Sequence, residues 1–133
     1  MKEDSELFEG TMGERQSHND KPFTSSDPLV GDLANDIENN NPNTVNGVNI
    51  DIYDVNGDMV TDFDVETVNA VIQVKSGRGT GLTKQMLKSA EYTNKEVIAY
   101  GPNLGKHVIN SVKAEGFKVF TDKQDLIDYL GDK

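Results

Sequence analysis

The chain contains no cysteine, which excludes disulfides, thiolate zinc sites and cysteine nucleophiles together. No apolar run is long enough to cross a bilayer, and the first residues lack the basic-then-apolar pattern of a secretory leader. Apolar residues are scarce, 35% of 133, enough for one core but with part of the chain expected outside it. Positive charge is short too, and unevenly so. Residues 1–66 carry 16 acids against 3 bases, whereas residues 67–133 carry 7 acids against 10 bases. The overall balance of −10 excludes a global basic footprint for nucleic acid. What remains is an acidic first half, suited to metal ions or to a basic partner, and a mildly basic second half. For residues 1–20 the acidity is read as an aid to solubility only.

Residues 1–26 are polar and without periodicity, and read as an arm or linker ahead of one domain over residues 27–133. A helix is expected from Asp27-Pro28, with Asp27 as N-cap, Pro28 in the first turn and Leu29, Leu33 and Ile37 as its apolar stripe. The Asn39–Asn43 stretch ends it. Val48–Ile52 alternates as a strand, Asn56-Gly57 marks a hairpin, Met59–Val65 returns, and Ala70–Lys75 is the third strand. A helix over Thr83–Tyr92 and a buried strand over Glu96–Tyr100 follow. Asn103 is the expected cap of a helix using Val108, Ile109 and Val112. Phe117–Phe120 is the last strand, and Thr121 to Gln124 reads as a capping box opening a helix through Leu126, Ile127 and Leu130. The order α-β-β-β-α-β-α-β-α, an antiparallel hairpin followed by βα units, implies an α/β domain with a mixed sheet.

The residues that suggest chemistry lie on the second and third strands. Alternation puts Asp62 and Asp64 on one face of their strand, and Gln73 and Lys75 on one face of the next. A carboxylate can hold a hard divalent cation, which polarises a phosphate and acidifies water. A second side-chain oxygen and a backbone carbonyl, here that of Val74, would complete the protein's ligands. A lysine beside them can orient water or offset charge on a phosphorane-like transition state. The competing reading makes Gln73 and Lys75 the solvated face of an edge strand, with Asp62 and Asp64 flanking a turn. His18 and His107 each stand alone. The Asp51–Asp58 segment lacks the spacing of a calcium loop and is explained by the hairpin turn.

Together, these residues and their order resemble the restriction-endonuclease-like nucleases of the PD-(D/E)xK superfamily. The likeness is nearest to the C-terminal toxin domains of contact-dependent growth inhibition and other polymorphic toxins, and it spans about Asp27 to Phe120. It implies a restriction-endonuclease-like α-β-β-β-α-β core with extra C-terminal α/β elements. In that likeness Asp64 matches the metal-binding acid, Gln73 with Lys75 match the Glu-x-Lys pair, and Glu38 matches a helical glutamate. Catalysis would then fall to Asp64, Gln73, Lys75 and Glu38, with a metal on Asp64, Gln73 and Asp62. The Gly77–Gln85 segment resembles the loop and helix start after that motif, so Arg78, Lys84 and Gln85 would contact substrate. The implied cofactor is Mg²⁺, with Mn²⁺ or Zn²⁺ as alternatives.

The implied activity is an endonuclease acting on tRNA ahead of DNA, in the cytoplasm of a competing bacterium. The chain would be delivered from a cell surface as part of a larger toxin. A cognate immunity protein and a delivery or activating factor would be its protein partners. One departure matters chemically: Gln73 offers a neutral amide where the family has a carboxylate. That weakens metal binding unless Asp62, Glu66 or Glu38 supplies the charge.

Overall fold

In the computed structural model, which describes residues 22–132, the first helix is set by its cap. Asp27 Oδ1 accepts from Leu29 N at 3.0 Å, and Pro28 occupies the first turn of α1 (Pro28–Asn40). The pair satisfies one orphan donor and removes another. The buried face is Val30, Leu33, Ala34 and Ile37, a 3-4-7 spacing. Leu29, expected in that stripe, is only partly buried at its margin. Packing starts before the expected domain boundary: Phe23 N donates to Asn35 Oδ1 at 3.1 Å and Phe23 O accepts from Asn35 Nδ2 at 2.9 Å. The rest of the expected arm, residues 1–21 with His18, lies outside the described residues.

Strands β1 (Val45–Tyr53) and β2 (Met59–Thr67) form the hairpin. Gly57 takes φ 85°, and Asp54 Oδ1 accepts from Asn56 N at 2.9 Å and Asp58 N at 3.0 Å. The Asp-rich segment is thus an Asx-type turn holding itself closed. Then follow β3 (Ala70–Val74), α2 (Leu82–Ala90), β4 (Glu96–Tyr100), α3 (Lys106–Ala114), β5 (Lys118–Phe120) and α4 (Lys123–Gly131). The protein is therefore mixed α/β, with one five-stranded sheet in the order β1-β2-β3-β4-β5 and four helices. The first three strands pair antiparallel and the last three parallel. Two crossover helices, α2 and α3, make the parallel half.

Two apolar clusters sandwich the sheet. One joins α1 and α4 to Val65, Ile72, Val74, Ile98 and Tyr100. The other joins Leu82 and Met86 of α2 and Val112 of α3 to Val97 and Ala99. All five residues of β3 are buried, so the central strand is apolar by composition except at Gln73. No described helix is long and apolar enough to cross a membrane.

Two caps differ from expectation. The residue preceding α3 is Gly105, while Asn103 Nδ2 donates to Ser76 O at 3.2 Å and ties together the loops after β3 and β4. The cap of α4 is Asp122, whose Oδ1 accepts from Asp125 N at 3.1 Å. An ionised carboxylate is a strong acceptor at a helix start. Gln124, instead of closing a box with Thr121, donates to Asp128 Oδ1 at 2.9 Å.

Candidate active-site cleft

The sheet opens at Asp64. On one side β2 is registered with β3 only through Val65↔Ile72 and Glu66↔Val71. On the other, the β1 ladder runs through Val48↔Val65 and Ile50↔Phe63 but skips the position between them. There Asn49 adopts a left-handed φ of 50°, a conformation that asparagine tolerates better than other residues with a Cβ. Asp64 thus sits where both neighbouring ladders lapse.

Side chains replace the missing ladder. Asp64 Oδ2 accepts from Val74 N at 2.8 Å. In return Gln73 reaches across to β2, where its Oε1 accepts from Asp64 N at 3.3 Å and its Nε2 donates to Asp62 O at 2.8 Å. Its remaining valences go to α2: Nε2 donates to Ser89 Oγ at 2.7 Å, and Oε1 accepts from Gln85 Nε2 at 3.2 Å. The Ser89 hydroxyl is also 3.3 Å from Thr61 Oγ1. Gln73 has no exposed surface, and all four of its hydrogen-bonding positions are filled. This excludes the solvated edge strand as its setting. It also places the amide beneath the cleft, with both lone pairs of its oxygen already used by N–H donors.

Above it lies a cleft of about 560 Å³ whose lining includes Asp27, Asp62, Asp64, Lys75, Arg78 and Gln85. Burial pushes the Asp64 carboxyl up to about 6, assisted by the nearby charges of Asp62 and Asp27 and opposed by the Val74 N–H and Lys75. The Lys75 ammonium pulls on Asp64 through space, yet makes no ion pair among the described residues. Lys75 is fixed by its backbone, with N donating to Tyr100 O at 3.0 Å. The approach needs Gly101, because a Cβ there would lie 2.6 Å from Lys75 O. Arg78 packs against Gly105, whose N donates to Arg78 O at 2.9 Å.

The fold therefore brings Asp62, Asp64, Lys75, Arg78 and Gln85 to one cleft and puts Gln73 under its floor. It does not bring Glu38 there. Glu38 accepts from the backbone N–H groups of Asn43, Thr44 and Val45, fastening the loop from α1 into β1. The cleft instead takes an acid from the other end of α1, whose 13 residues span about 20 Å. That acid is Asp27, which the sequence identified only as a cap. Lys84 lines a neighbouring groove along α2. His107 is exposed on α3, outside the cleft lining.

Among the described residues, no three acidic or histidine side chains are grouped closely enough to hold a metal by themselves. The oxygens available at the cleft suit one kind of ion. Asp64 and Asp62 are hard donors, and three carboxylates face only Lys75 and Arg78 in compensation. Mg²⁺ is commonly held by one or two carboxylates, water and substrate phosphates rather than by a closed protein cage. Asp64 and Asp62 would hold such an ion, without Gln73. Comparison with protein-family models, curated proteins and solved structures finds no match to this chain.

Proposed function

We propose that the protein is a metal-dependent nuclease domain of the polymorphic-toxin kind, built on a restriction-endonuclease-like core and hydrolysing phosphodiester bonds. The observation that carries this reading is the meeting of Asp64, Asp62 and Lys75 at a break in the sheet, on the rim of one open cleft. A hard divalent ion bound there supplies Lewis acidity toward a phosphate oxygen and toward water. Asp64 and Asp62 hold their oxygens toward the cleft, with Asp64 oriented by the Val74 N–H. Lys75 and Arg78 offset the charge of the phosphate and of the pentavalent species that follows attack. Gln73 acts by holding Asp64 in place.

The preferred substrate is tRNA. A chain of net charge −10 is poorly suited to tight, nonspecific binding of DNA, and favours a shaped substrate or help from a delivery factor. Between residues 22 and 74 there are ten acids and no lysine, arginine or histidine. That surface suits an immunity protein whose contacting patch is basic. The chain would act in the cytoplasm of the target cell. A non-catalytic α/β binding module is the second reading, favoured by the full commitment of the Gln73 amide.

Gel analysis of RNA and DNA from bacteria expressing the domain decides among these. Discrete tRNA fragments support the proposal, and degraded nucleoids would make it a DNase. If purified protein cleaves neither with Mg²⁺, Mn²⁺ or Zn²⁺, and toxicity survives Asp64→Ala and Lys75→Ala, the binding module is correct.

A further inference from the structure

Beside the cleft runs a second cavity of about 590 Å³, between the start of β2 and the outer face of α2. Gln85 lines both, so the two adjoin at its side chain. Beyond Gln85 the character changes from acidic to cationic and apolar. Lys84 and Lys88 line the groove one helical turn apart, about 6 Å along the axis, a spacing that can follow successive phosphates of an extended strand. Leu87 lies between them in the chain, 42% exposed, and Val60 faces the same groove. Among the described residues neither lysine has an ion-pair partner, although carboxylates outnumber bases in the chain. The Lys88 ammonium lies 5.8 Å from the centre of the Tyr92 ring, and Glu91 also lines the groove.

We infer that this groove binds the unpaired polynucleotide strand leaving the cleft, with Lys84 and Lys88 on its phosphates and a base against Val60 and Leu87. The inference rests on the nuclease reading of the cleft. Cations without an ion-pair partner in an acidic protein, in a groove that adjoins the Asp64 cleft at Gln85, fit a polyanion that passes the acidic cleft only at one point. Apolar surface beside a row of lysines on α2 accepts the flat face of an unstacked base, which a closed duplex does not offer.

The test separates binding from chemistry. Asp64→Asn protein, which retains an acceptor for Val74 N, is titrated with a fluorescein-labelled single-stranded RNA 12-mer and with its duplex over a range of salt. Adding Lys84→Ala and Lys88→Ala should weaken single-strand binding about tenfold and flatten the log–log salt slope by about 1.4, for two phosphate contacts. The same charge change at Lys113 and Lys118, which line a separate cavity beside β5, should leave both within twofold. Equal effects from the two pairs, no binding to the 12-mer, or tighter binding of the duplex would each overturn the inference. Hydrolysis of bis(p-nitrophenyl) phosphate with Mn²⁺, a diester too small to reach the groove, reads the cleft alone. If neither that diester nor nucleic acid is cleaved but binding still depends on Lys84 and Lys88, the nuclease reading fails and the groove stands. If the diester is cleaved and the lysine pair does not affect binding, the groove fails and the cleft stands.

Discussion

Asp64 and Gln73 brace each other's strands: the Asp64 carboxylate accepts from the β3 backbone at Val74 N, and the Gln73 amide bonds the β2 backbone at Asp62 O and Asp64 N. Each side chain stands in for the peptide unit that the lapsed ladder no longer supplies. The exchange works because the two termini differ. A carboxylate only accepts, whereas the amide accepts from one backbone group and donates to the next.

A glutamate at position 73 should therefore harm this protein. Gln73→Glu removes the donor to Asp62 O and puts a charge into a site with no exposed surface, beside a second carboxylate. A loss of about 2–4 kcal/mol in unfolding free energy is expected at pH 7.5. Burial raises the folded pKa of the new acid, so the loss should shrink as pH falls and protonation restores an O–H donor. Urea unfolding at pH 7.5 and pH 4.5 checks both statements. A variant as stable as wild type, or more active, would sink the role assigned to the amide.

Asp64 itself should leave a pH signature in metal-free protein. Its folded pKa of about 6 exceeds the ordinary aspartate value of 3.8, so the native state holds the proton more tightly than the unfolded chain. Stability from this group is present at low pH and is lost as pH rises from about 4 to about 6. The loss is about 3 kcal/mol. Asp64→Asn keeps an acceptor for Val74 N without the charge. It should gain stability over wild type at pH 7.5 and lose most of that advantage at pH 4, in urea titrations with EDTA present. A gain independent of pH would refute the burial of a charged Asp64.

Much of this arrangement was legible in the chain, because its signals are local. Asp27-Pro28, Asn56-Gly57 and the apolar runs of β3 and β4 each act within a few residues, and the order of elements follows from them. Asp62, Asp64 and Lys75 came together because strand alternation and hairpin pairing fix their side of the sheet. The bonds of Gln73 were not legible. Its partners lie on β2 and α2, and only tertiary packing decides whether a strand glutamine faces water or a helix. The same holds for Asp27, where a cap and a cleft acid share one sequence signal. The misplaced caps of α3 and α4 show a smaller failure, in which nearby polar residues compete and loop packing selects one.

Gly101 is expected to be as necessary to the site as the charged residues. Gly101→Ala drives a Cβ to 2.6 Å from Lys75 O and 2.8 Å from Leu104, so either β3 or the following loop must move. A cost of about 1–3 kcal/mol is expected. Cleavage should fall by more than the population of folded protein, since Lys75 moves with its backbone. Comparing kcat with the folded fraction measured by circular dichroism tests this. Activity that tracks the folded fraction alone would show that Lys75 tolerates the shift.

Divalent ions should stabilise the protein through Asp64. Binding to the native state alone raises stability by RT ln(1 + [L]/Kd), about 2.7 kcal/mol at a hundredfold excess over Kd. Mg²⁺ or Mn²⁺ should raise Tm in wild type and in Gln73→Ala, whose starting stability is lower, but not in Asp64→Ala. A response lost in Gln73→Ala and kept in Asp64→Ala would reverse the assignment of ligands.

Glu38 separates a structural acid from a catalytic one. Its carboxylate accepts from three consecutive backbone N–H groups, at Asn43, Thr44 and Val45, where Asn43 holds a left-handed φ of 67°. Removing it leaves donors without partners in the loop that feeds β1, the strand beside Asp64. Because the loop is partly exposed, water recovers some of the loss, and Glu38→Ala should cost about 1–3 kcal/mol. Glu38→Gln offers one carbonyl oxygen and no charge, and should fall between wild type and alanine in stability. Neither variant should change kcat once unfolded protein is subtracted, since the carboxylate is fastened at the opposite end of α1 from the cleft. A loss of kcat of tenfold or more in Glu38→Gln, with stability intact, would return Glu38 to the catalytic set.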